Sequence, residues 1–345
     1  MAPQLQDPAI PDGKAICIFG AGAIGGALAA RLATAPELAK ATLSVVARGA
    51  HLQAIRENGI HVWAAGSTEL LVARVNATDK AADLGKQDLV IVTLKGHQLT
   101  AAIDDIAGLL KPNGRVVMIQ NGIPWWYFHG DTTSGLEGRR LDALDPGGLI
   151  WNRIGPERVI GGVIYQGAQM SEPGHVRLSG YGLLHIGEPS GVMSDDLWEI
   201  ASLLQASGWT VKPTDRIRDE IWLKLQGNAA FNPISALTRT TVSAMLADAG
   251  LLELTRQVMT EVRDVAEALG CRISLTIDER LDHSRALGTA RTSMLQDVEQ
   301  GRRLEVIPLT RAVSLLGNMA GVPTPANDII LALVSELDRS LSQAR

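Results

Sequence analysis

Residues 15–33 read AICIFGAGAIGGALAARLA, and this stretch decides the fold. A short apolar run, AICIF, breaks into Gly20-Ala21-Gly22-Ala23-Ile24-Gly25, and alanine-rich helical sequence follows at once. In a chain with 35 glycines the G-x-G-x-x-G spacing is a weak signal by itself. A strand before it and a helix after it are the context that gives it meaning. The first glycine permits the tight turn, the second lets backbone approach a pyrophosphate, and the third lets the helix pack on the strand. The helix N-terminus then offers unsatisfied N–H groups and a partial positive charge to a diphosphate. Gly20, Ala21, Gly22, Ala23, Ile24 and Gly25 are therefore the expected cofactor cradle.

Working outward, further strand signals fall at LSVVA (43–47), LVARV (71–75), LVIVTL (89–94) and VVMI (116–119), with helical patterns starting near Ile24, His51 and Leu99. Apolar runs without strict alternation, separated by helices, predict strands covered on both faces in an α/β, Rossmann-type, doubly wound sheet. After about Val159, VIGGVIYQG, HVRLSG and GLLHIG are joined by tight Gly/Pro turns such as EPG, a local antiparallel pattern attached to the sheet. From about Thr214 strand signals largely stop, and long helical periodicities follow, with Gly270 at an expected helix end and Pro323 and Pro325 around a turn. The expected organisation is an N-terminal extension over 1–14, a dinucleotide-binding domain over 15–213, and an all-helical substrate and dimerisation domain over 214–345.

Composition narrows the function classes. The chain has 345 residues, 46% hydrophobic and 20% charged, with a net charge of −5, so a disordered tail protein is excluded and a nucleic-acid partner is not expected. No apolar run approaches the length of about 18 residues that a membrane span needs. Cys17 and Cys271 each lie in or beside an apolar run and read as buried free thiols, which favours a reducing, cytoplasmic compartment. His97, His129, His175, His185 and His283 are scattered without ligand-like spacing, so no metal site is expected.

Two further features carry chemistry. An NAD-binding fold usually ends its second strand with an acid that holds the ribose 2′-hydroxyl, whereas this strand ends in Val46-Ala47-Arg48-Gly49. A guanidinium pairs with a 2′-phosphate in two-pronged fashion, so Arg48 points to NADP(H). His51 follows closely and either assists that phosphate or is simply solvated. In EIWLKLQGNAAFNP (220–233), Lys224, Asn228 and Asn232 recur every four residues and share one helical face. Asn is a poor helix former, Gly227 costs about 1 kcal/mol inside a helix, and Pro233 interrupts the hydrogen-bond ladder. A helix that retains all three carries a polar stripe with a task.

GAGAIGG after the first strand, VTLKGHQ (92–98), QNG (120–122), EIWLKLQGNAAFNP, and SMLQDV followed by Glu305 occur in the order seen in ketopantoate reductases (2-dehydropantoate 2-reductases). From residue 15 onward the chain resembles that family. The resemblance implies an NADPH-dependent enzyme of pantothenate biosynthesis with a Rossmann domain and a helical domain, and often a homodimer. It also implies roles: Lys224 as general acid towards the ketone oxygen of a 2-keto acid, Asn228 and Asn232 positioning substrate, and Ser293 holding its carboxylate. Lys95 and Asn121 would line the nicotinamide pocket, and Glu305 would bond cofactor or substrate and keep the lysine oriented. Where the family carries asparagines, this chain has Val242 and Ala290, and Glu305 is followed by Val306-Ile307-Pro308. These departures suggest a substrate more apolar than ketopantoate. Two other readings compete: a β-hydroxyacid or opine-type dehydrogenase, and a non-catalytic NADP sensor. The irregular stretch from Pro124 to Trp151 opens with Trp125-Trp126-Tyr127-Phe128, a cluster that reads equally as substrate lid, dimer contact or core.

Overall fold

The computed structural model describes residues 13–285, 288 and 291–343. Most of the expected N-terminal extension, and Ala290, lie outside the described residues. The chain divides into two compact units, the first ending at Gln120 and resuming over Leu149–Ile217, the second formed by Asn121–Gly148 with Arg218 onward.

In the first unit the strands are β1 (Ala15–Phe19), β2 (Thr42–Val46), β3 (Ile60–Trp63), β4 (Leu70–Ala73), β5 (Asn76–Thr78), β6 (Gln87–Val92), β7 (Leu110–Ile119), β8 (Val159–Glu172), β9 (His175–Gly187) and β10 (Thr210–Pro213). They form one mixed sheet in the order β4-β3-β9-β8-β7-β6-β1-β2-β5, with β10 joined to β9. Burial on both faces selects sheet centres for apolar runs, and β1, whose Ile16, Cys17 and Ile18 have no exposed surface, sits between β6 and β2, parallel to both. Helices α1 (Ala23–Ala33), α2 (Gly49–Asn58) and α3 (Gly96–Leu109) follow β1, β2 and β6, while α4 (Leu149–Ile154) and α5 (Asp195–Gln205) flank the later strands.

Two strand expectations need correction. The run at 71–75 is not one strand. Its first part belongs to β4, antiparallel to β3 at one edge, and the chain then crosses to the opposite edge, where β5 pairs with β2. The IHVW strand β3 gave no signal in the sequence, because four residues with a histidine among them are too short to show a period. HVRLSG and GLLHIG, expected as separate strands, are one 13-residue strand, β9, antiparallel to the 14-residue β8. Helix α1 touches β1, β2, β3, β4, β8 and β9, so the sheet curls around it. Such close wrapping explains its small residues: a Cβ at Gly26 would already lie 3.5 Å from Val176 and 3.8 Å from Ile60.

The second unit contains α6 (Ile217–Thr238), α7 (Val242–Ala247), α8 (Ala249–Ala268), α9 (Ile277–Arg285), α10 (Ser293–Glu299), α11 (Ala312–Ala320) and α12 (Pro325–Gln343). Helix α6 continues through Pro233, although proline removes one ladder bond. Buried Ala229, Ala230, Ile234 and Ala236 on either side hold it. Residues 121–148 pack within this unit, and Trp125, Trp126, Tyr127 and Phe128 are all buried. The Trp222 indole N–H donates to the Tyr127 hydroxyl at 2.7 Å, and Arg218 donates to the Tyr127 and His129 carbonyls, each at 2.7 Å. The aromatic cluster is therefore core. Cys17 and Cys271 are both buried free thiols, and burial pushes them up to about 12 and about 11 respectively.

Candidate functional site

The first cluster stands at the carboxyl ends of β1, β2 and β6, where open α/β sheets bind their ligands. The Gly20 N–H donates to the Val46 carbonyl at 3.0 Å, which ties the turn to β2. The Thr93 hydroxyl donates to the Gly20 carbonyl at 2.5 Å, and His51 Nε2 bonds the Ala21 carbonyl at 2.5 Å. The Gly174 N–H donates to His51 Nδ1 at 2.9 Å. Since Nδ1 accepts, the proton sits on Nε2, and burial holds this imidazole below its ordinary pKa. With both carbonyls engaged by Thr93 and His51, the turn is held in place from behind.

A Cβ at Gly25 would stand 2.0 Å from the Gly20 carbonyl and 2.3 Å from the Thr93 hydroxyl, so only glycine closes the turn onto the helix. A Cβ at Gly22 would meet nothing within 4 Å, and the start of α1 has neither a side-chain cap nor an acid in its first turn. Open space before uncapped donors fits a diphosphate. Arg48 lies exposed between β2 and α2, and Lys95 is half-buried between β6 and α3, its N–H held by Gln98 Oε1 at 3.0 Å. The cradle residues, Arg48 and Lys95 thus fit NADP(H).

The second cluster is built on α6. The Lys224 ammonium donates to Asn121 Oδ1 at 2.9 Å, and Asn121 Nδ2 donates to Glu305 Oε2 at 3.0 Å. Lysine only donates and a carboxylate only accepts, so the two partners fix which way the Asn121 amide faces. Asn121 is placed by the turn after it. The Ile123 N–H donates to the Pro308 carbonyl at 3.0 Å, and Gly122, at φ +77°, leaves room for that carbonyl where a Cβ would stand at 2.2 Å. Pro308 belongs to a π-helical turn, Ile307–Arg311, which begins two residues after Glu305. Pro308 is thus the residue that seats the Asn121 turn.

Burial lowers the Lys224 pKa to about 8, with Glu305 opposing the shift and Arg280 adding to it. One turn along, Asn228 is half-buried, and a turn further Asn232 is buried with its Nδ2 donating to the Ser293 hydroxyl at 3.4 Å. Ser293 opens α10 and is exposed, while the preceding Thr292 caps that helix. Val242, at the start of α7, is buried. Lys224, Asn121 and Glu305 come together, Asn232 joins Ser293, and Asn228 lies between the two groups on the same helix.

Sequence reasoning missed Thr93, the inward-facing contacts of His51, and the nearness of Arg280 to Lys224. Thr93 lay inside the quoted VTLKGHQ motif, immediately after a buried strand, where a hydroxyl has a task. His51 had no such signal, because Gly174 meets it across 123 residues. Among the described residues no three His, Cys, Asp or Glu side chains converge as metal ligands, and no helix is long and apolar enough to cross a membrane.

Comparison with known proteins agrees with this architecture. A family model described as Ketopantoate reductase PanE/ApbA matches residues 16–191, and its C-terminal counterpart matches 216–338. A 2-dehydropantoate 2-reductase of Mesorhizobium japonicum is 48% identical over 93% of this chain and 97% of its own length. A Ralstonia solanacearum chain solved as a candidate ketopantoate reductase superposes with a TM-score of 0.87 at 38% identity, covering 96% of this chain and 98% of that one. A 2-dehydropantoate 2-reductase structure from Geobacter metallireducens gives 0.80 at 26% identity, covering 96% and 100%.

Proposed function

The chain belongs to the ketopantoate reductase family, and on that premise we propose that it reduces a 2-keto acid to the 2-hydroxy acid with NADPH, Lys224 acting as general acid. The observation that carries this reading is the Glu305–Asn121–Lys224 chain of hydrogen bonds on a lysine whose pKa burial has brought to about 8. NADPH, when bound, supplies the hydride. The residues of this chain supply the remainder. As charge grows on the ketone oxygen, the ammonium stabilises it and then gives up a proton. A lysine near pKa 8 transfers that proton more readily than one at its ordinary value and is still mostly protonated at neutral pH. Asn121 occupies one of its N–H bonds and aims the others, and Glu305 fixes Asn121, so the glutamate orients the lysine through the amide.

Gly20, Ala21, Gly22, Ala23, Ile24 and Gly25 hold the pyrophosphate, Arg48 the 2′-phosphate, and Lys95 and Asn121 the nicotinamide side. Asn228, Asn232 and Ser293 contact substrate. On this reading residues 15–213 bind cofactor, and 214–345 bind substrate and carry a homodimer contact. The exposed Ile329 and Leu333, one turn apart on α12, support self-association. Buried free thiols support a cytoplasmic location. A buried valine at position 242, where the family has asparagine, supports a substrate tail less polar than that of ketopantoate.

The test is NADPH oxidation with ketopantoate and with branched and aromatic 2-keto acids, NADH as control, on the parent and on Lys224→Ala. The parent turns over at least one 2-keto acid with NADPH preferred. The variant loses about 10²–10⁴-fold in kcat yet binds NADPH as before. Equal inertness of parent and variant across the panel would instead identify a non-catalytic NADP sensor.

A further inference from the structure

We propose that Arg280 receives the carboxylate of the 2-keto acid, and that position 227 is glycine so that this guanidinium can lie against α6 beside Lys224. The proposal rests on the reductase reading above and adds the specificity element which that reading lacks.

A glycine in the middle of a 22-residue helix needs a cause. Gly227 is not among the residues with positive φ, so its backbone imposes no demand. Its cause is steric. A Cβ at position 227 would stand 2.5 Å from Arg280 Nη2, 2.9 Å from Nε and 3.1 Å from Cζ. The guanidinium therefore occupies the volume that any other residue's Cβ would fill. Residues 224 and 227 are neighbours on a helix surface, and 228 follows directly in the polar stripe. Arg280 comes from α9, where its own N–H donates to the Thr276 carbonyl and its carbonyl accepts from Ser284, so its backbone is fixed.

Substrate chemistry explains why a second cation belongs there. In a 2-keto acid the carboxylate carbon is bonded directly to the ketone carbon, so a lysine on the ketone oxygen needs a carboxylate partner only a few ångströms away. Arginine matches a carboxylate with two parallel N–H bonds and remains charged at any working pH. Lys224, Arg280 and Glu305 together carry one net positive charge, which a monoanionic substrate neutralises. The influence of Arg280 on the Lys224 pKa agrees with this proximity. Ser293, assigned the carboxylate by family resemblance, offers a neutral hydroxyl already in contact with Asn232. It can supply one hydrogen bond but no charge.

The experiment compares a good 2-keto acid substrate with its neutral primary amide in steady-state kinetics, using the parent, Arg280→Met, Arg280→Lys and Gly227→Ala. Arg280→Met is expected to raise KM for the acid about 10²-fold, the effect of losing hydrogen bonds to a charged group. The KM values for the amide and for NADPH stay near the parent's. Arg280→Lys recovers part of the loss. Gly227→Ala retains the arginine but displaces it, and should shift acid-over-amide selectivity in the same direction. Removing the guanidinium also moves the alkaline limb of the kcat/KM profile above about 8, because Arg280 lowers the lysine pKa by charge alone; the acid-over-amide split is the readout that a purely structural role would not move. If the folded variants penalise acid and amide equally, or neither, the Arg280 assignment fails while the reductase reading stands. A parent that reduces no 2-keto acid overturns both.

Discussion

In the proposed mechanism Lys224 is where the chemistry can be read most directly, because a general acid works through its protonation state. Its pKa lies at about 8, lowered chiefly by burial and then by Arg280, and supported by Glu305. The general acid must enter the reaction protonated. Activity is therefore full below about 8 and falls tenfold per pH unit above it, the reverse of what a general base would give. Glu305→Gln removes the negative charge that favours the ammonium, so the alkaline limb should move to lower pH. It also releases the constraint on Asn121, since a glutamine amide can donate as well as accept. The expected outcome for this variant is a pH profile of kcat/KM displaced towards acid with a lower plateau, measured at saturating NADPH. An unchanged midpoint would remove Glu305 from the lysine's environment. The lysine could be named from its place in the polar stripe, and its asparagine partner and the glutamate only through the family resemblance. Their order of contact, with Asn121 between the other two, could not, because it joins residues 103 and 184 positions apart.

At the scale of elements, what was legible follows from local physics. The β1–turn–α1 unit, the helices after β2 and β6, and the polar stripe on α6 are each set by periodicity or by residue types within about 20 positions. The parts that escaped are those set by distant partners. The short strand β3 exists because β9 and β4 pair with it on either side, and the Trp125–Phe128 cluster is buried because Trp222, Arg218 and Cys271 lie around Tyr127. Gly122 makes the same point and yields a prediction. Its φ of +77° is costly for any other residue, and a Cβ there would collide with the Pro308 carbonyl at 2.2 Å. Gly122→Ala must therefore shift the turn away from the π-helical segment and carry Asn121 off Lys224. We expect a loss of kcat of about 10²-fold, the effect of a misplaced reacting group, larger than the loss of NADPH affinity, since the pyrophosphate cradle and Arg48 are untouched and only the Asn121 contact to the nicotinamide side is displaced. Parent-like turnover in this variant would show that the turn does not set the lysine's orientation.

For the molecule as a whole, the way the chain is apportioned between its two units makes a demand that a linear reading does not contain. The sequence suggests a boundary near residue 213, with everything before it in one domain. In the structure, Asn121–Gly148 belongs with the helical unit. The segment is apolar where it matters: Trp125, Trp126, Tyr127 and Phe128 are each at most 3% exposed. Severed from α6 and α8, these rings would lose Trp222, Arg218 and the end of α8, where the Thr133 hydroxyl reaches the Leu269 carbonyl. A fragment ending at residue 217 would then carry four large aromatic side chains in water, an exposed patch that drives association. Replacing residues 121–148 by a short flexible linker in the same fragment removes that patch and leaves every strand of the sheet in place. The linker fragment should be the more soluble of the two, bind less of a hydrophobic dye, and show NADPH-dependent stabilisation in thermal unfolding, since a ligand that binds only the native state raises its stability. If the uninterrupted fragment is equally soluble and dye-free, the aromatic segment is stable without its helical partners, and the cofactor unit extends through residue 148.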